Sequence, residues 1–340
     1  MIIVLKSHTR RQQVDDVKRH ITDLGYEPRV IRGVEKTVIG AVGDELSHRS
    51  LETLIGLPAV ETVIPIQKRY KVVTREFHEA DSEVMIGDRK IGGGQFQIIS
   101  GPCAVENSAQ MQRVAADLTS CGIGVVRGGA YKPRTSPYDF QGLGERGLEI
   151  LAQIKEDYGV SIVTEVVGTP HVERVARVAD MMQIGARNCQ NYNLLETVAE
   201  AGLPVLLKRG MASTVEEWLS AAEYLMVNGC HQVVLCERGI RTFEHATRST
   251  LDVSAIAIAK QETHLPVVVD PSHAAGRADL VVPLALAGIA AGADGALIES
   301  HPDPVEALSD APQQLVSGEF SNVVARLRPL VEAMGKTLRQ

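Results

Sequence analysis

The 340-residue chain has no apolar run approaching the roughly 18 residues that a membrane-spanning helix requires. Its opening, Met1-Ile-Ile-Val-Leu-Lys-Ser-His8, lacks the basic start and long apolar stretch of a signal peptide and reads as a strand, so a cytoplasmic protein is expected. There is no excess of positive charge. The formal net charge is −7, which argues against nonspecific nucleic-acid binding, because that needs a basic face. Cysteines are few and unpaired in spacing. Cys103, Cys121, Cys189, Cys230 and Cys236 are an odd, scattered set with no CxxC, which fits free thiols and disfavours a thiolate zinc knuckle. An acidic balance does not exclude anionic substrates, since Lys and Arg can still cluster locally.

Residues 1–70 alternate short Val/Ile-rich runs with helical patterns. Strands are expected at Ile2–Lys6, Glu27–Arg32, Thr37–Val42 and Val60–Pro65. Between the first two, Arg11–Leu24 carries Val14, Val17, Ile21 and Leu24 on one helical face, and Ser50–Ile55 supplies a shorter helix. This is a ferredoxin-like βαββαβ order. The central strands lack the aromatics on which an RNA-binding domain of this shape stacks bases, so that reading is set aside. Residues 71–94 read as linker and lead-in strand, closing on Gly92-Gly93-Gly94.

From residue 95 to 340 the pattern changes. Eight apolar runs, Phe96–Ser100, Val125–Gly128, Ser161–Val166, Met181–Ile184, Val205–Lys208, Val233–Glu237, Val267–Asp270 and Gly295–Glu299, are each followed by a helical segment. Eight strand–helix units in a catalytic-domain-sized stretch of about 250 residues predict a (β/α)₈ TIM barrel. The alternative, a doubly wound sheet, usually has fewer strands and a Gly-rich dinucleotide turn, which is missing here.

A barrel places chemistry at the carboxyl ends of its strands. Just past the eight runs stand Cys103, Arg127, Glu165, Arg187, Lys208, Arg238, Asp270 with His273, and Glu299. Arg127, Lys132, Arg134, Arg187, Lys208 and Arg238 converge on the mouth of such a barrel, where cations repel unless anions sit among them. The plainer reading is that several pair with local acids such as Glu165 or Glu237. Lys132-Pro-Arg-Thr-Ser-Pro137, with two cations and two hydroxyls on a Pro-stiffened loop, suits a phosphate. Cys103, His273, Glu299 and Asp310 offer one sulfur, one imidazole and two carboxylates, a mixed set that fits a divalent transition ion better than calcium or magnesium. Two alternatives stand beside this. Cys103 also fits as a small buried apolar residue, and Asp310, before Ala311-Pro312, also fits as a helix cap.

Taken in order, Ser100-Gly-Pro-Cys103, Arg127-Gly-Gly-Ala-Tyr-Lys-Pro-Arg-Thr-Ser-Pro137, Gln183-Ile-Gly-Ala-Arg-Asn188, Leu207-Lys-Arg-Gly210, Cys236-Glu-Arg-Gly239, Asp270-Pro-Ser-His273 and Leu297-Ile-Glu-Ser300 resemble the motif series of the 3-deoxy-arabino-heptulosonate 7-phosphate (DAHP) synthases. The front end resembles the regulatory domain of the type Iβ subgroup. Pro133 separates the chain from the sister octulosonate synthases, where Asn typically stands in this loop. The resemblance implies a metal-dependent condensation of phosphoenolpyruvate with erythrose 4-phosphate, the first step of the shikimate pathway to aromatic amino acids. It implies phosphoenolpyruvate binding by Arg127, Lys132, Arg187, Lys208 and Arg238, with the backbone at Ala186. It assigns the aldose phosphate to Pro133, Arg134, Thr135 and Ser136. It implies Cys103, His273, Glu299 and Asp310 as ligands of a manganese, iron, cobalt, zinc or similar ion. Lys132 is expected to move a proton, Glu165 to orient water or a cation, and His301 to support Glu299 or stand at the rim. A tyrosine or phenylalanine effector and a homotetramer are further implications.

Overall fold

The computed structural model describes residues 1–32, 36–43, 49–64, 69–132 and 136–338. The chain divides into two compact units, Met1–Arg69 and Tyr70–Gln340.

The first unit has β1 (Ile2–Leu5), α1 (Arg11–Asp23), β2 (Glu27–Arg32), β3 (Thr37–Val42) and β4 (Val60–Ile64). The sheet is antiparallel in the order β2-β3-β1-β4. Val14, Val17 and Ile21 of α1 bury against Ile3, Leu5 and Ile39, as the 3.6-residue spacing predicts. The short second helix is a 3₁₀ turn, Leu51–Gly56, opened by Ser50, whose hydroxyl accepts the Glu52 amide. Six residues are too few to bury a long α-helical stripe; Leu51 and Leu54 alone point inward. Pro65, expected to end β4, lies outside the described residues.

The second unit is a closed barrel. Its strands are β7 (Gln95–Gly101), β8 (Val125–Arg127), β9 (Ser161–Val166), β10 (Met181–Ile184), β11 (Val205–Lys208), β12 (Val233–Glu237), β13 (Val267–Val269) and β14 (Gly295–His301), all parallel. Closure comes from β14 pairing with β7, Gly295 opposite Gln97 through Glu299 opposite Gly101. Between them run α2 (Ser108–Ser120), α3 (Glu145–Tyr158), α4 (Val172–Ala176), α5 (Tyr192–Glu200), α6 (Val215–Val227), α7 (Val253–Glu262), α8 (Pro271–Ala275) and α9 (Val281–Ala290). A two-residue strand, β15 (Leu315–Val316), adds to β14, and α10 (Phe320–Ala333) with β16 (Thr337–Leu338) completes the unit. The expected helix His171–Ala179 is shorter, a 3₁₀ turn Thr169–His171 and the five residues of α4.

Residues 71–94, expected as linker and lead-in strand, carry two strands. These are β5 (Glu83–Ile86) and β6 (Arg89–Gly92), an antiparallel hairpin that joins the sheet through β6 and β7. Upstream, the Glu223 carboxylate on α6 accepts the amides of Lys71, Val72 and Val73, so this segment is fixed to the barrel. Val84, Ile86 and Ile91 of the hairpin pack with inward-facing Ile99, Val125, Val163, Met181, Leu206, Val234, Val268 and Leu297. That layer seals the barrel floor. Since side chains alternate along a strand, the next inward positions are two residues on, namely Gly101, Arg127, Glu165, Gln183, Lys208, Cys236, Asp270 and Glu299. An apolar layer thus lies below a polar one, and the polar one faces the open mouth.

Candidate active site

Local sequence explains how each group reaches the mouth. Gly101 has φ +147, and a Cβ there would run into the Arg127 carbonyl oxygen. Only glycine lets β7 and β8 approach closely enough to set Cys103 beside the β8 end. Asp270 ends β13 and caps α8. Its Oδ1 accepts the His273 amide at 3.0 Å, with Pro271 in the first turn. The same three-residue step brings His273 Nδ1 to 2.8 Å from Asp270 Oδ2, and Lys208 Nζ donates to that oxygen at 2.6 Å. The imidazole Nε2 is thereby aimed away from Asp270. It lies 3.4 Å from Glu299 Oε1 and 3.8 Å from Asp310 Oδ2.

Cys103 completes the cluster. Its Sγ is 3.3 Å from Asp310 Oδ2, and ligand atoms of Cys103, Glu299 and Asp310 all lie within 4.8 Å of one another. The expected fourth member, His273, borders this trio through Glu299 and Asp310. The contacts of Asp310 and Cys103 bear on the two alternatives. Asp310 makes no side-chain cap bond to the 3₁₀ turn Ala311–Gln313, and its carboxylate goes to Cys103, Arg248 and Gln313 instead. Cys103 sits against an ammonium and a carboxylate, which is no apolar niche. Asp310 also adopts φ +53, a left-handed conformation that side chains other than Gly, Asn and Asp seldom take.

Electrostatics here run to extremes. Burial, reinforced by the Glu299 and Asp310 carboxylates, pushes the Cys103 thiol up to about 11. Burial opposes ionisation of Asp310, but His273, Arg248 and Lys132 outweigh it and hold the carboxyl well below the usual range. Glu299, also opposed by burial, is lowered by His273 and Arg127. His273 is lowered by burial, which outweighs the pull of Asp270 and Glu299. Two carboxylates, an imidazole and a thiol form a donor set suited to a divalent transition ion, whose binding would draw the proton from the thiol.

Beside this cluster opens a cavity of ≈ 440 Å³. Its walls carry six cations, Lys132, Arg187, Lys208, Arg238, Arg241 and Arg248, against three carboxylates, Asp139, Glu165 and Asp310, an excess of three positive charges. Arg187 comes from the 3₁₀ turn Ala186–Asn188 after β10, and Ala186 also lines the wall. Lys132 Nζ donates to the Cys103 carbonyl at 3.0 Å and reaches Cys103 Sγ at 3.0 Å, directly between cavity and cluster. Burial disfavours its charge, but Cys103, Glu165 and Glu299 prevail and raise it, so Lys132 is an ammonium.

The plain pairing reading for the cations proves half right. Arg127 pairs with Glu299 at 2.7 Å and Lys208 with Asp270. The expected partners differ, since Glu165 takes an amide hydrogen from Gln183 and Glu237 pairs with Arg209. Arg127 is 2 % exposed and lies below the cavity, with a buried Nε that has no hydrogen-bond partner among the described residues. Arg238 donates to Ser249 Oγ and to the carbonyls of Gly239 and His273, leaving its charge unmatched. Burial, with Arg248 nearby, lowers its affinity for the proton. Such a site favours anions.

Of the Lys132–Pro137 loop, Pro133, Arg134 and Thr135 lie outside the described residues. Ser136 Oγ accepts the Tyr138 amide and is not on the cavity wall. His301 is buried; its Nδ1 accepts the Asp303 amide, and Nε2 lies 3.5 Å from Glu106 Oε2, so it braces the loop after β14 and stands off the rim. Sequence reasoning missed Arg241, Arg248 and Gln313. The first two lie in the loop after β12, more than one turn past the strand end, where reading just beyond each strand does not look. Gln313 carries no charge and no motif marks it.

Three comparisons bear on this geometry. Residues 67–334 match the profile described as DAHP synthetase I family, and residues 1–68 match the DAHP synthase ferredoxin-like domain. A phospho-2-dehydro-3-deoxyheptonate aldolase from Thermotoga maritima is 47 % identical over 335 residues, covering 98 % of this chain and 99 % of the relative. A crystal structure of phospho-2-dehydro-3-deoxyheptonate aldolase (DAHP synthase) from Thermotoga maritima superposes with a TM-score of 0.94 at 46 % identity, covering 99 % of both chains. A 2-dehydro-3-deoxyphosphooctonate aldolase from Acidithiobacillus ferrooxidans is 32 % identical over 251 residues, 68 % of this chain and 88 % of the relative.

The Asp270 bracket yields a direct expectation. Asp270→Asn leaves the Lys208 ammonium buried without its counter-charge, which should lower barrel stability by about 3–5 kcal/mol. Urea denaturation followed by fluorescence of Trp218, the lone tryptophan and fully buried on α6, reads this out. A loss on the order of a few tenths of a kcal/mol, as at ordinary surface sites, would contradict the bracket.

Proposed function

The chain belongs to the DAHP synthetase I family, and from that premise we propose how its own residues carry the family's reaction. The activity is condensation of phosphoenolpyruvate with erythrose 4-phosphate to DAHP plus phosphate, the entry to the shikimate pathway. The observation that carries the residue assignment is the juxtaposition of a cavity lined by six cations with the Cys103, Glu299 and Asp310 cluster bordered by His273, joined by Lys132.

Cys103, His273, Glu299 and Asp310 hold a divalent transition ion. When bound, the ion supplies Lewis acidity toward the aldehyde oxygen. Arg187, Lys208 and Arg238, with the backbone at Ala186, hold the phosphate and carboxylate of phosphoenolpyruvate, and Arg127 braces the floor of that site from below. Pro133, Arg134, Thr135 and Ser136 hold the aldose phosphate. Fixing both anions in register is mostly a positioning gain. Carbon three of phosphoenolpyruvate attacks the aldehyde carbon, and Lys132, kept charged, gives its proton to the oxygen that becomes an alkoxide. The attack leaves positive charge at carbon two, where water, oriented by Glu165, adds and gives up a proton that restores the Lys132 ammonium. Phosphate then leaves by C–O cleavage, its charge met by the surrounding Arg and Lys.

Among the described residues no helix is long and apolar enough to cross a membrane. We place the enzyme in the cytoplasm as a homotetramer, with the first unit, Met1–Arg69, a sensor of tyrosine or phenylalanine and the second, Tyr70–Gln340, the catalytic barrel with its floor hairpin. The match of residues 1–68 to the ferredoxin-like domain of these synthases supports the sensor.

Two measurements test this. Phosphate release from phosphoenolpyruvate and erythrose 4-phosphate should vanish after treatment with a strong chelator and return with manganese or another transition ion; undiminished turnover by fully stripped protein contradicts the ligand assignment. Tyrosine or phenylalanine should inhibit the full chain and leave a chain beginning at Tyr70 uninhibited. If neither amino acid slows the full chain, the sensor reading fails.

A further inference from the structure

We infer that Gln313 is a positioning residue for the metal-ligand carboxylates and that it works together with Arg248. The inference rests on the assignment of Cys103, His273, Glu299 and Asp310 as ligands and names what sets the orientation of two of them.

Gln313 is fully buried in the 3₁₀ turn after Asp310, and its side chain touches only functional groups. Its Nε2 donates to Glu299 Oε2 at 2.6 Å and reaches Asp310 Oδ2 at 3.4 Å. Its Oε1 accepts Arg248 NH1 at 2.9 Å. The same NH1 lies 3.2 Å from Asp310 Oδ1. These contacts fix which end of the amide is which. A reversed amide would set a carbonyl oxygen against two carboxylates and an N–H against a guanidinium.

The result is a ring of Gln313, Arg248 and Asp310 from which Gln313 also holds Glu299. Gln313 takes Glu299 Oε2 and Arg248 takes Asp310 Oδ1, while Glu299 Oε1, paired with Arg127 NH1 at 2.7 Å, and Asp310 Oδ2 lie on the side of His273 Nε2 and Cys103 Sγ. One oxygen of each carboxylate is thereby turned toward the ligand side. Arg248 is itself fixed. Its amide donates to the Ala275 carbonyl, and its Cβ stands where a side chain at Gly276 would begin, φ +70. The next residue shows what a structural glutamine does here. Gln314 Oε1 accepts the Cys103 amide and its Nε2 donates to the Ser309 carbonyl, a staple from backbone to backbone. The Gln313 side chain makes no such backbone bond among the described residues. Buried amides ordinarily serve backbone groups, so one spent wholly on two ligand carboxylates and a guanidinium acts on the site.

The test uses the full chain, stripped of metal and titrated with cobalt(II) or manganese(II) against a competing chelator. Wild type, Gln313→Leu and Arg248→Met are compared, and the visible and near-ultraviolet absorption of the cobalt form is recorded. Gln313→Leu should weaken affinity about 10- to 100-fold. Its cobalt spectrum should change, while the melting temperature of the stripped protein stays close to wild type. Arg248→Met, at a side chain 40 % exposed, should weaken binding in the same direction. Unchanged affinity and spectrum in both variants overturn the inference, as does a fall in melting temperature with metal binding intact. If Gln313→Leu does not fold, Arg248→Met alone decides by the same readouts. Should the wild-type chain take up no ion, or Cys103→Ser give an unaltered cobalt spectrum, the ligand assignment itself falls; a wild type that binds beside variants that bind equally well sinks only the positioning role.

Discussion

Three electron-rich ligand atoms, from Cys103, Glu299 and Asp310, are held within 4.8 Å of one another in a site almost closed to water. Like-charged and unshared electron pairs at that spacing repel, and burial removes the solvent that would screen them. The protein answers with cations at every side, Arg127 against Glu299, Arg248 against Asp310 and Lys132 against Cys103. Even so the thiol stays protonated, pushed up to about 11 by burial and its carboxylate neighbours. A divalent ion held by these residues, as proposed, would resolve that frustration.

The closure of the sheet makes the arrangement possible. Cys103 follows the first barrel strand and Glu299 lies on the last, nearly 200 residues apart, yet the β14–β7 register places Glu299 opposite Gly101. Glycine at 101 allows the close strand approach. The polar layer containing Arg127, Glu165, Lys208, Asp270 and Glu299 sits one side-chain step above the apolar layer that the β5–β6 hairpin seals. A rigid, dry floor keeps the charged groups from relaxing toward solvent, which is what preorganisation requires.

Much of this was legible in the sequence because its signals are local. Alternating apolar runs marked all eight barrel strands, and Asp270-Pro-Ser-His273 announced a capped turn that also orients an imidazole. Residue type at the strand ends marked Cys103, Lys208, Arg238 and Glu299, and the loop after the second strand marked Lys132. Pairing was less legible, because which carboxylate meets which cation depends on register between strands; Arg127 meets Glu299 from across the closure, and Glu237 turns to Arg209. Arg248 and Gln313 stayed hidden for the same reason, since their meaning comes from side chains brought together across the loops after β12 and β14. The hairpin floor was read as linker because four-residue strands flanked by charge carry little periodicity.

X-ray absorption at the metal edge of the protein loaded with zinc tests the central claim most directly. The account predicts one sulfur scatterer at about 2.3 Å together with nitrogen and oxygen at about 2.0–2.2 Å, and loss of the sulfur signal in Cys103→Ser. A first shell of nitrogen and oxygen alone in the wild-type protein would contradict it.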